Sequence, residues 1–261
     1  MLLYKKHLHR AAVALTLLFI PAVLSAGPSP SGYYYQIKIY HFKTPEQESI
    51  LDSYLKTSYL PMLHQKGFSN VGVFKPIETD TADRKIYLFI PFKNWKSIET
   101  FNAEAPNTMA VNHQGYTNAA YNKPAYSRIE TIILSAFVTR PRPLAIKLTG
   151  DRAKRVYELR SYESPTEALH NNKVRMFNSG ETDLFDRLGF NPVFYGSVIA
   201  GSHMPNLMYL TTFNDRADRD KHWDAFGKDA QWQDLSGRKE FQNNVSKADI
   251  IFLYPTPYSD F

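Results

Sequence analysis

The chain repeats itself at a nearly constant spacing, and this repeat restricts its fold more than any other feature. The segment YQIKIY that begins at Tyr35 corresponds to YELRSY from Tyr157, which lies 122 residues later. Near the end of the repeat, Ser127 corresponds to Ser246 at a spacing of 119. Further pairs keep the spacing of 122: Gly67-Phe68 with Gly189-Phe190, Tyr87-Leu88 with Tyr209-Leu210, and Phe101 with Trp223. We infer two copies of one unit of roughly a hundred residues.

The first strand and the first helix of each copy follow from local patterns. YQIKIY alternates, which predicts a strand with Tyr35, Ile37 and Ile39 on one side. The segment Thr44-Pro45-Glu46-Gln47 predicts a helix start with a capping box, and Ser164-Pro165-Thr166-Glu167 predicts the same start in the second copy. Equivalent helix starts in both copies support the repeat.

Glycines end both of these helices, at Gly67 and Gly189, and Pro61 and Gly180 interrupt them. The remaining apolar runs predict two strands, a second helix and a last strand in each copy. The resulting order, βαββαβ, is that of the ferredoxin-like fold.

An antiparallel sheet with both helices on one face leaves its other face to be covered, and a second copy can cover it. We therefore predict an α+β fold in which two tandem ferredoxin-like modules pack sheet-to-sheet as a pseudo-dimeric α/β barrel. The predicted divisions are a signal peptide over 1–26, a first module over 33–137, a linker over 138–154, a second module over 155–256 and a C-terminal tail over 257–261.

The N-terminal segment is typical of a secretory signal peptide. Lys5, Lys6 and Arg10 precede an apolar run from Ala11 to Leu24, and small residues follow it up to Ala26. The run is too short to span a bilayer comfortably. We predict export to the periplasm or the extracellular space, with no stable membrane anchor after cleavage. A mitochondrial presequence is the alternative.

Removal of residues 1–26 lowers the formal net charge from +6 to +3, because 28 basic residues remain against 25 acidic ones. No segment concentrates Lys and Arg without interleaved acids, so we predict no nucleic-acid partner.

The chain has no cysteine, which excludes disulfides and thiolate chemistry. Its scattered histidines lack metal-ligand spacing, so no metal site is predicted: His64, His113, His170 and His203.

Several segments of the second copy carry a specific pattern: YELRSY from Tyr157, MFNSGE from Met176, NPVFYG from Asn191 and HWDAFGKDAQW from His222. With them this copy resembles the NIPSNAP family of dimeric α/β-barrel proteins, in its exported bacterial tandem-domain branch. The first copy is more divergent, with Phe101 in place of the helix tryptophan. The resemblance implies the fold but no catalytic residues. Related barrel families include cofactor-independent monooxygenases and haem-degrading enzymes, which place a ligand between the helices and the sheet.

Two groups of residues in the second copy are candidates for a ligand site. Trp223, Phe226 and Trp232 predict an aromatic ridge with His222 as its polar tip, acting as base or haem ligand. The alternative is a helix that packs its aromatic residues on the sheet. Tyr195 joins this group as a ligand-binding candidate.

The second group follows the long helix of this copy. Arg175, Asn178 and Glu181 recur at helical spacing, which predicts that they lie along one side and contact a small polar or anionic ligand. Solvent-facing polar residues explain the same spacing.

We predict that the protein binds a small, mainly apolar molecule in a pocket of the second module. One alternative is a monooxygenase-like or haem-handling enzyme that uses the same pocket, with His222 as its catalytic group. Another is a non-catalytic scaffold or assembly module. No cofactor is predicted, with haem as the alternative. The predicted pseudo-dimer is internal, and the pattern also allows a homo-oligomer.

Overall fold

A computed structural model describes residues 32–109, 113 and 115–261, and the predicted signal peptide lies outside them. The first module contains β1 (Tyr34–Phe42), α1 (Pro45–Tyr54), α2 (Leu60–Gln65), β2 (Gly72–Pro76), β3 (Arg84–Phe92), α3 (Trp95–Met109) and β4 (Arg128–Ala136). The second contains β5 (Val156–Glu163), α4 (Glu167–Met176), α5 (Thr182–Arg187), β6 (Asn191–Ala200), β7 (Asn206–Phe213), α6 (Arg216–Lys228), α7 (Ala230–Gly237) and β8 (Lys247–Pro255). Short 3₁₀ turns lie at Arg152–Lys154 and Lys239–Phe241.

The starts of α1 and α4 differ in detail. The capping box predicted at Thr44 is confirmed, since its hydroxyl accepts from the backbone N–H of Gln47 and the Gln47 side chain accepts from the backbone of Thr44. The equivalent prediction at Ser164 is wrong. Thr166 caps α4 by accepting from the backbone N–H of Leu169, because Ser164 is already buried at the end of the preceding strand.

Both long helices contain a π-helical turn at the same place in the repeat. The turns span Leu55–Tyr59 and Phe177–Glu181, which are separated by 122 residues. Gly180 has φ 136 inside the second turn, a conformation that side chains with a Cβ rarely adopt. The interruptions predicted at Pro61 and Gly180 are therefore confirmed as local changes in helix geometry. Such turns are frequent at functional sites.

The eight strands form one closed antiparallel barrel in the order β1-β3-β2-β8-β5-β7-β6-β4. Each module contributes four strands, and the pairs β2–β8 and β4–β6 join the modules edge to edge. The predicted fold class is confirmed. Closure also pairs the sheet edges that each module alone would expose.

The strand register corrects one detail of the repeat. Lys38 pairs with Leu88 in the first module, whereas its counterpart Arg160 pairs with Tyr209 in the second. Leu88 thus corresponds to Tyr209, a spacing of 121, and the predicted match of Tyr87 with Tyr209 is wrong. The correction matters because side chains alternate along a strand, so an alignment that is wrong by one residue assigns every side chain to the wrong face of the sheet.

Alternate residues of each strand face either the barrel interior or the helices. As predicted, Tyr35, Ile37 and Ile39 share one side, and they belong to the core inside the barrel. Tyr40 belongs to the separate core between the first sheet and its helices. A third core, around Phe177 and Phe185, lies between the second sheet and its helices. Of the described helices, none combines the length and apolar character needed to cross a membrane.

Candidate functional site

The structure brings most of the predicted aromatic candidates together beneath the helices of the second module. Trp223 and Phe226 lie on α6, Trp232 on α7 and Tyr195 on β6. The ring centroids of Phe226 and Trp232 are 4.4 Å apart, and those of Trp223 and Phe226 are 5.4 Å apart. Tyr195 is completely buried in the same core.

A sharp break between α6 and α7 positions Trp232 over Phe226. Asp229 ends α6 with an extended backbone and caps α7, where its carboxylate accepts from the backbone N–H of Gln231 at 2.9 Å. Arg187 donates to the same carboxylate at 2.8 Å. The hydrogen bond from Arg187 is the main reason that the pKa of Asp229 lies below its ordinary value.

A set of charges under these rings was not predicted from the sequence. Glu158 on β5 is completely buried and accepts hydrogen bonds from both Arg160 and Arg219, with Arg160 Nε at 2.6 Å and Arg219 Nε at 2.8 Å. The indole N–H of Trp223 donates to the same carboxylate at 2.9 Å. The Arg160 guanidinium also lies 3.6 Å from the centre of the Trp223 ring, a cation–π contact.

These contacts keep Glu158 ionised inside the protein. Burial alone would raise the pKa of its carboxyl, but the hydrogen bonds and charges of Arg219 and Arg160 outweigh burial and lower it. A buried carboxylate with two guanidinium partners and an indole donor is fully satisfied.

A chain of hydroxyl groups extends from Arg160 along the sheet. Arg160 Nη1 donates to Tyr162 Oη at 2.9 Å, and Tyr162 Oη lies 2.9 Å from Tyr209 Oη. Only one of these two tyrosine hydroxyl groups can donate in the bond between them, so the proton of the other has no acceptor among the described residues. The hydroxyl of the buried Tyr195 also has no hydrogen-bond partner among them.

A second ion pair lies next to this chain, between Lys173 on α4 and Glu181 in the π-helical turn. The two charged atoms are 3.0 Å apart, and both side chains are buried. Burial raises the pKa of the Glu181 carboxyl, while the positive charge of Lys173 opposes that shift. Lys173 Nζ also lies 4.7 Å from the Phe177 ring centre and 5.8 Å from that of Trp232. We name the group Glu158, Arg160, Lys173, Glu181 and Arg219 the charged layer.

The charged layer could have been found from strand alternation. In YELRSY, the side chains of Glu158, Arg160 and Tyr162 share one face, opposite Tyr157 and Leu159. In a module of this fold, one sheet face covers the barrel interior and the other lies under helices, so neither face meets water. The motif thus places two charged residues in a buried layer, where they need partners.

His222 lies at the edge of the aromatic cluster. Its Nδ1 lies 2.7 Å from the backbone oxygen of Asp218, and its ring packs edge-on against Phe190. A Cβ at Gly189, where φ is 76, would approach His222 Nε2 to 3.3 Å. His222 therefore lies against a tight turn, and among the described residues no hydrogen bond or ion pair joins it to the charged layer. Its roles as base or haem ligand stay predictions.

The prediction that Arg175, Asn178 and Glu181 lie along one side of the helix is wrong. Arg175 is exposed and donates to Asn172, Asn178 accepts from the hydroxyl of Thr139, and Glu181 is buried. The reason is the π-helical turn, which changes the number of residues per turn and so rotates the following positions around the axis. Only Glu181 belongs to the charged layer.

The comparisons with known proteins agree with this architecture. The profile of the NIPSNAP family matches residues 157–260. The second module belongs to the NIPSNAP family. The match of this NIPSNAP module includes β5, which carries Glu158 and Arg160, and it extends through most of the segment predicted as a tail. No protein of curated function matches the chain by sequence.

Some solved structures resemble most of the chain, and others resemble only a part of it about the size of one module. A candidate monooxygenase from Lactobacillus acidophilus is 11% identical, with 86% of this chain and 94% of that chain covered and a TM-score of 0.55. An anthrone oxidase-like protein is 9% identical over 87% and 92%, with a TM-score of 0.52. A NIPSNAP-like domain protein from Burkholderia xenovorans is 19% identical over 40% and 88%, with a TM-score of 0.36. At these identities the first two show a shared fold and nothing finer.

Proposed function

We propose that the protein binds a small, mainly apolar molecule with one acidic group between the helices and the sheet of its NIPSNAP module. The observation that carries this proposal is the charge of the layer beneath the helices. Arg160 and Arg219 share the single carboxylate of Glu158, while Lys173 and Glu181 form a separate pair. Three cations that are buried or largely buried thus face two carboxylates, and an anionic ligand group would restore the balance.

The one additional carboxylate near this layer does not remove the excess. Asp220 accepts from Arg219 Nη1 at 2.9 Å, but its side chain is 57% exposed. Water screens an exposed pair of this kind, so it contributes little inside the protein. The positive excess therefore remains on the buried side, next to Arg160.

Unused hydrogen-bond donors point to the same ligand chemistry. Among the described residues, one hydroxyl proton of the Tyr162–Tyr209 pair has no acceptor, and the hydroxyl proton of Tyr195 has none either. A carboxylate or phenolate oxygen accepts several such bonds at once. The apolar part of the ligand would contact the rings of Trp223, Phe226 and Trp232, which cover the layer on the helix side.

A matched pair of ligands tests the proposal. Quenching of tryptophan fluorescence is measured while the purified protein is titrated with naphthoate or with its methyl ester. We expect naphthoate to bind at least about tenfold more tightly, because only the acid carries the charge that the layer lacks. Equal affinities, or no binding of either compound, would contradict the proposal.

Single substitutions locate the binding. Tyr209→Phe removes one hydroxyl with little change of shape, and we expect it to weaken naphthoate binding about tenfold. Arg160→Gln should weaken it further. Arg216→Gln is the control, because Arg216 also lies on α6 but pairs with the exposed Asp220 and not with Glu158. If Arg216→Gln weakens binding as much as Arg160→Gln, the ligand lies elsewhere.

A second candidate function is oxygenation of an aromatic ligand in the same place. Burial raises the pKa of Glu181, and a carboxyl of this kind can take a proton from a phenol or an activated C–H group. The monooxygenase and anthrone oxidase descriptions belong to structures that share this fold. Oxygen uptake with anthrone as the probe tests this candidate. Uptake that persists in Glu181→Gln would exclude Glu181 as the proton acceptor.

A further inference from the structure

The barrel has two unlike ends. At one end, Phe261 closes the interior by packing its ring on Phe74, Tyr157 and Phe89. At the other end, the interior opens into a cavity of about 400 Å³. We name this space the mouth cavity.

Strand alternation gives the mouth cavity an apolar floor and a polar rim. Its floor includes Ile39, Ile132, Met208 and Ile251, which belong to or pack on the barrel core. On the inward face of six strands, the position two residues closer to the barrel end carries a polar side chain, and these side chains form the rim: His41, Lys85, Glu130, Ser161, Asn206 and Asp249. Both modules line the cavity, so neither module alone could form it.

His41 and Asn206 are the two buried residues of this rim, and Asn206 is already hydrogen-bonded to Ser161. The ring of His41 is only 2% exposed, and Nδ1 lies 2.8 and 3.0 Å from the two carboxylate oxygens of Asp83. Because a carboxylate only accepts, Nδ1 carries a proton, and in the neutral form of the ring Nε2 then carries a lone pair. Nε2 lies 3.3 Å from Glu130 Oε1 without a hydrogen bond, and it has no hydrogen-bond partner among the described residues.

The charged groups around His41 already have partners. Glu130 pairs with Arg128 at 2.9 Å, Asp83 with Lys85 at 3.3 Å, and Asp249 with Lys247 at 2.8 Å. The polar atoms of the rim that have no hydrogen-bond partner among the described residues include His41 Nε2 and the buried hydroxyl of Ser202. Neither is part of a charged pair. The rim thus favours an uncharged polar group over an ion.

We propose that the mouth cavity binds a small uncharged molecule with an apolar body and one hydroxyl group, such as a phenol or an alcohol. The hydroxyl donates to His41 Nε2, and the apolar body lies on Ile39, Ile132 and Ile251. This site is separate from the charged layer, which lies on the opposite face of β5 and is proposed to bind an acid.

Two probes of nearly equal shape test the hydroxyl requirement. The purified protein is titrated with para-ethylphenol and with para-ethylanisole, whose methyl ether cannot donate a hydrogen bond. Chemical shifts of the histidine ring nitrogens and of the tryptophan indole N–H groups are followed by NMR. We expect the phenol to shift His41 Nε2 and to bind at least about tenfold more tightly than the ether. Equal affinities would overturn the proposal, as would phenol-induced shifts at Trp223 and Trp232 instead of His41.

A substitution that fills the cavity tests the location. Ser202→Trp places a large ring in the mouth, and we expect it to weaken para-ethylphenol binding at least about tenfold without affecting naphthoate binding at the charged layer. Ser69→Trp is the matched control, because Ser69 is exposed in the first module and does not line the cavity. Unchanged phenol affinity in a folded Ser202→Trp would overturn the proposal. If this variant does not fold, the phenol and ether comparison on the unaltered protein still decides it.

Discussion

Lys173 and Glu181 form an ion pair of 3.0 Å in which the side chains are only 8% and 3% exposed. The pair connects the last part of α4 to the π-helical turn that follows it. A pair in this setting is held by mutual attraction against a large desolvation cost, so removal of either partner leaves an uncompensated charge inside the protein.

We expect Lys173→Met to lower the free energy of unfolding by about 3–5 kcal/mol, because Glu181 loses its cation. The double variant with Glu181→Gln should recover a large part of this loss. Urea unfolding measures both values. Lys228→Met is the control, since its pair with Asp224 is exposed and contributes no more than about 1 kcal/mol. Losses of equal size in Lys173→Met and Lys228→Met would show that the buried pair is not coupled.

The pH dependence of stability separates the two buried carboxyls. Burial raises the pKa of Glu181 above its ordinary value of 4.5, so the folded protein holds this proton more tightly than the unfolded chain. Unfolding then releases a proton above pH 4.5, and the contribution of Glu181 to stability is lost as pH rises through the folded-state pKa. The stability difference between the unaltered protein and Glu181→Gln should therefore decrease with rising pH.

Glu158 should behave in the opposite way. Arg219 and Arg160 lower its pKa despite burial, so its contribution is present above pH 4.5 and is lost as pH falls through the lower folded-state value. Urea unfolding of Glu158→Gln and Glu181→Gln from about pH 2.5 to pH 8 measures both slopes, that of Glu158 below pH 4.5 and that of Glu181 above it. Slopes of the same sign would contradict the assignment.

The fold could be predicted from the sequence because its determinants are local or repeated. The capping box at Thr44 and the glycine helix ends need only neighbouring residues, and the spacing of 122 relates the modules without knowledge of contacts. The one-residue drift between Leu88 and Tyr209 was missed, because similar Tyr-Leu pairs in both copies favoured the wrong alignment. Only strand pairing decides such a shift.

The site was predicted less well, because its polar residues come from distant parts of the chain. Trp223, Phe226 and Trp232 were recognised from a compact motif. Glu158 depends on Arg219, 61 residues away, and its partners appear only when α6 lies over β5. The π-helical turn had a similar effect, since it separated Arg175 and Asn178 from Glu181 although their spacing suggested one side.

Gly180 tests the importance of that turn. We expect Gly180→Ala to lower the free energy of unfolding by about 1–3 kcal/mol, because φ 136 is strained for any residue with a Cβ. Gly227→Ala is the matched control. Gly227 is exposed in α6, and apart from the adjacent residues and the backbone of its own helix, a methyl group at this position would have no atom within 4 Å. Alanine should therefore stabilise the helix by about 0.5–1 kcal/mol. Thermal unfolding of both variants measures the effect, and a stabilising Gly180→Ala would contradict it.

The segment predicted as a C-terminal tail forms hydrogen bonds and ring contacts with the first module at one end of the barrel. Asp260 accepts from the backbone N–H of Val71 at 2.7 Å, Ser259 accepts from that of Val73 at 3.0 Å, and Phe261 closes one barrel end. These bonds satisfy the backbone N–H groups of Val71 and Val73, which lie just before the pairing of β2 with β8 begins at Phe74. The ring of Phe261 covers the apolar interior.

We therefore expect Phe261→Ala to lower the free energy of unfolding by about 2–4 kcal/mol, somewhat less than for a fully buried phenylalanine because the ring is partly exposed. Ile77→Ala, at an exposed apolar residue, should change it by less than about 0.5 kcal/mol. Urea unfolding measures both. Because Phe261 and the mouth cavity lie at opposite ends of the barrel, Phe261→Ala should leave the affinity for para-ethylphenol unchanged while the protein remains folded. If Phe261→Ala left the free energy of unfolding unchanged, the ring would not be needed to close the barrel interior, and the C-terminal segment would contribute nothing to stability.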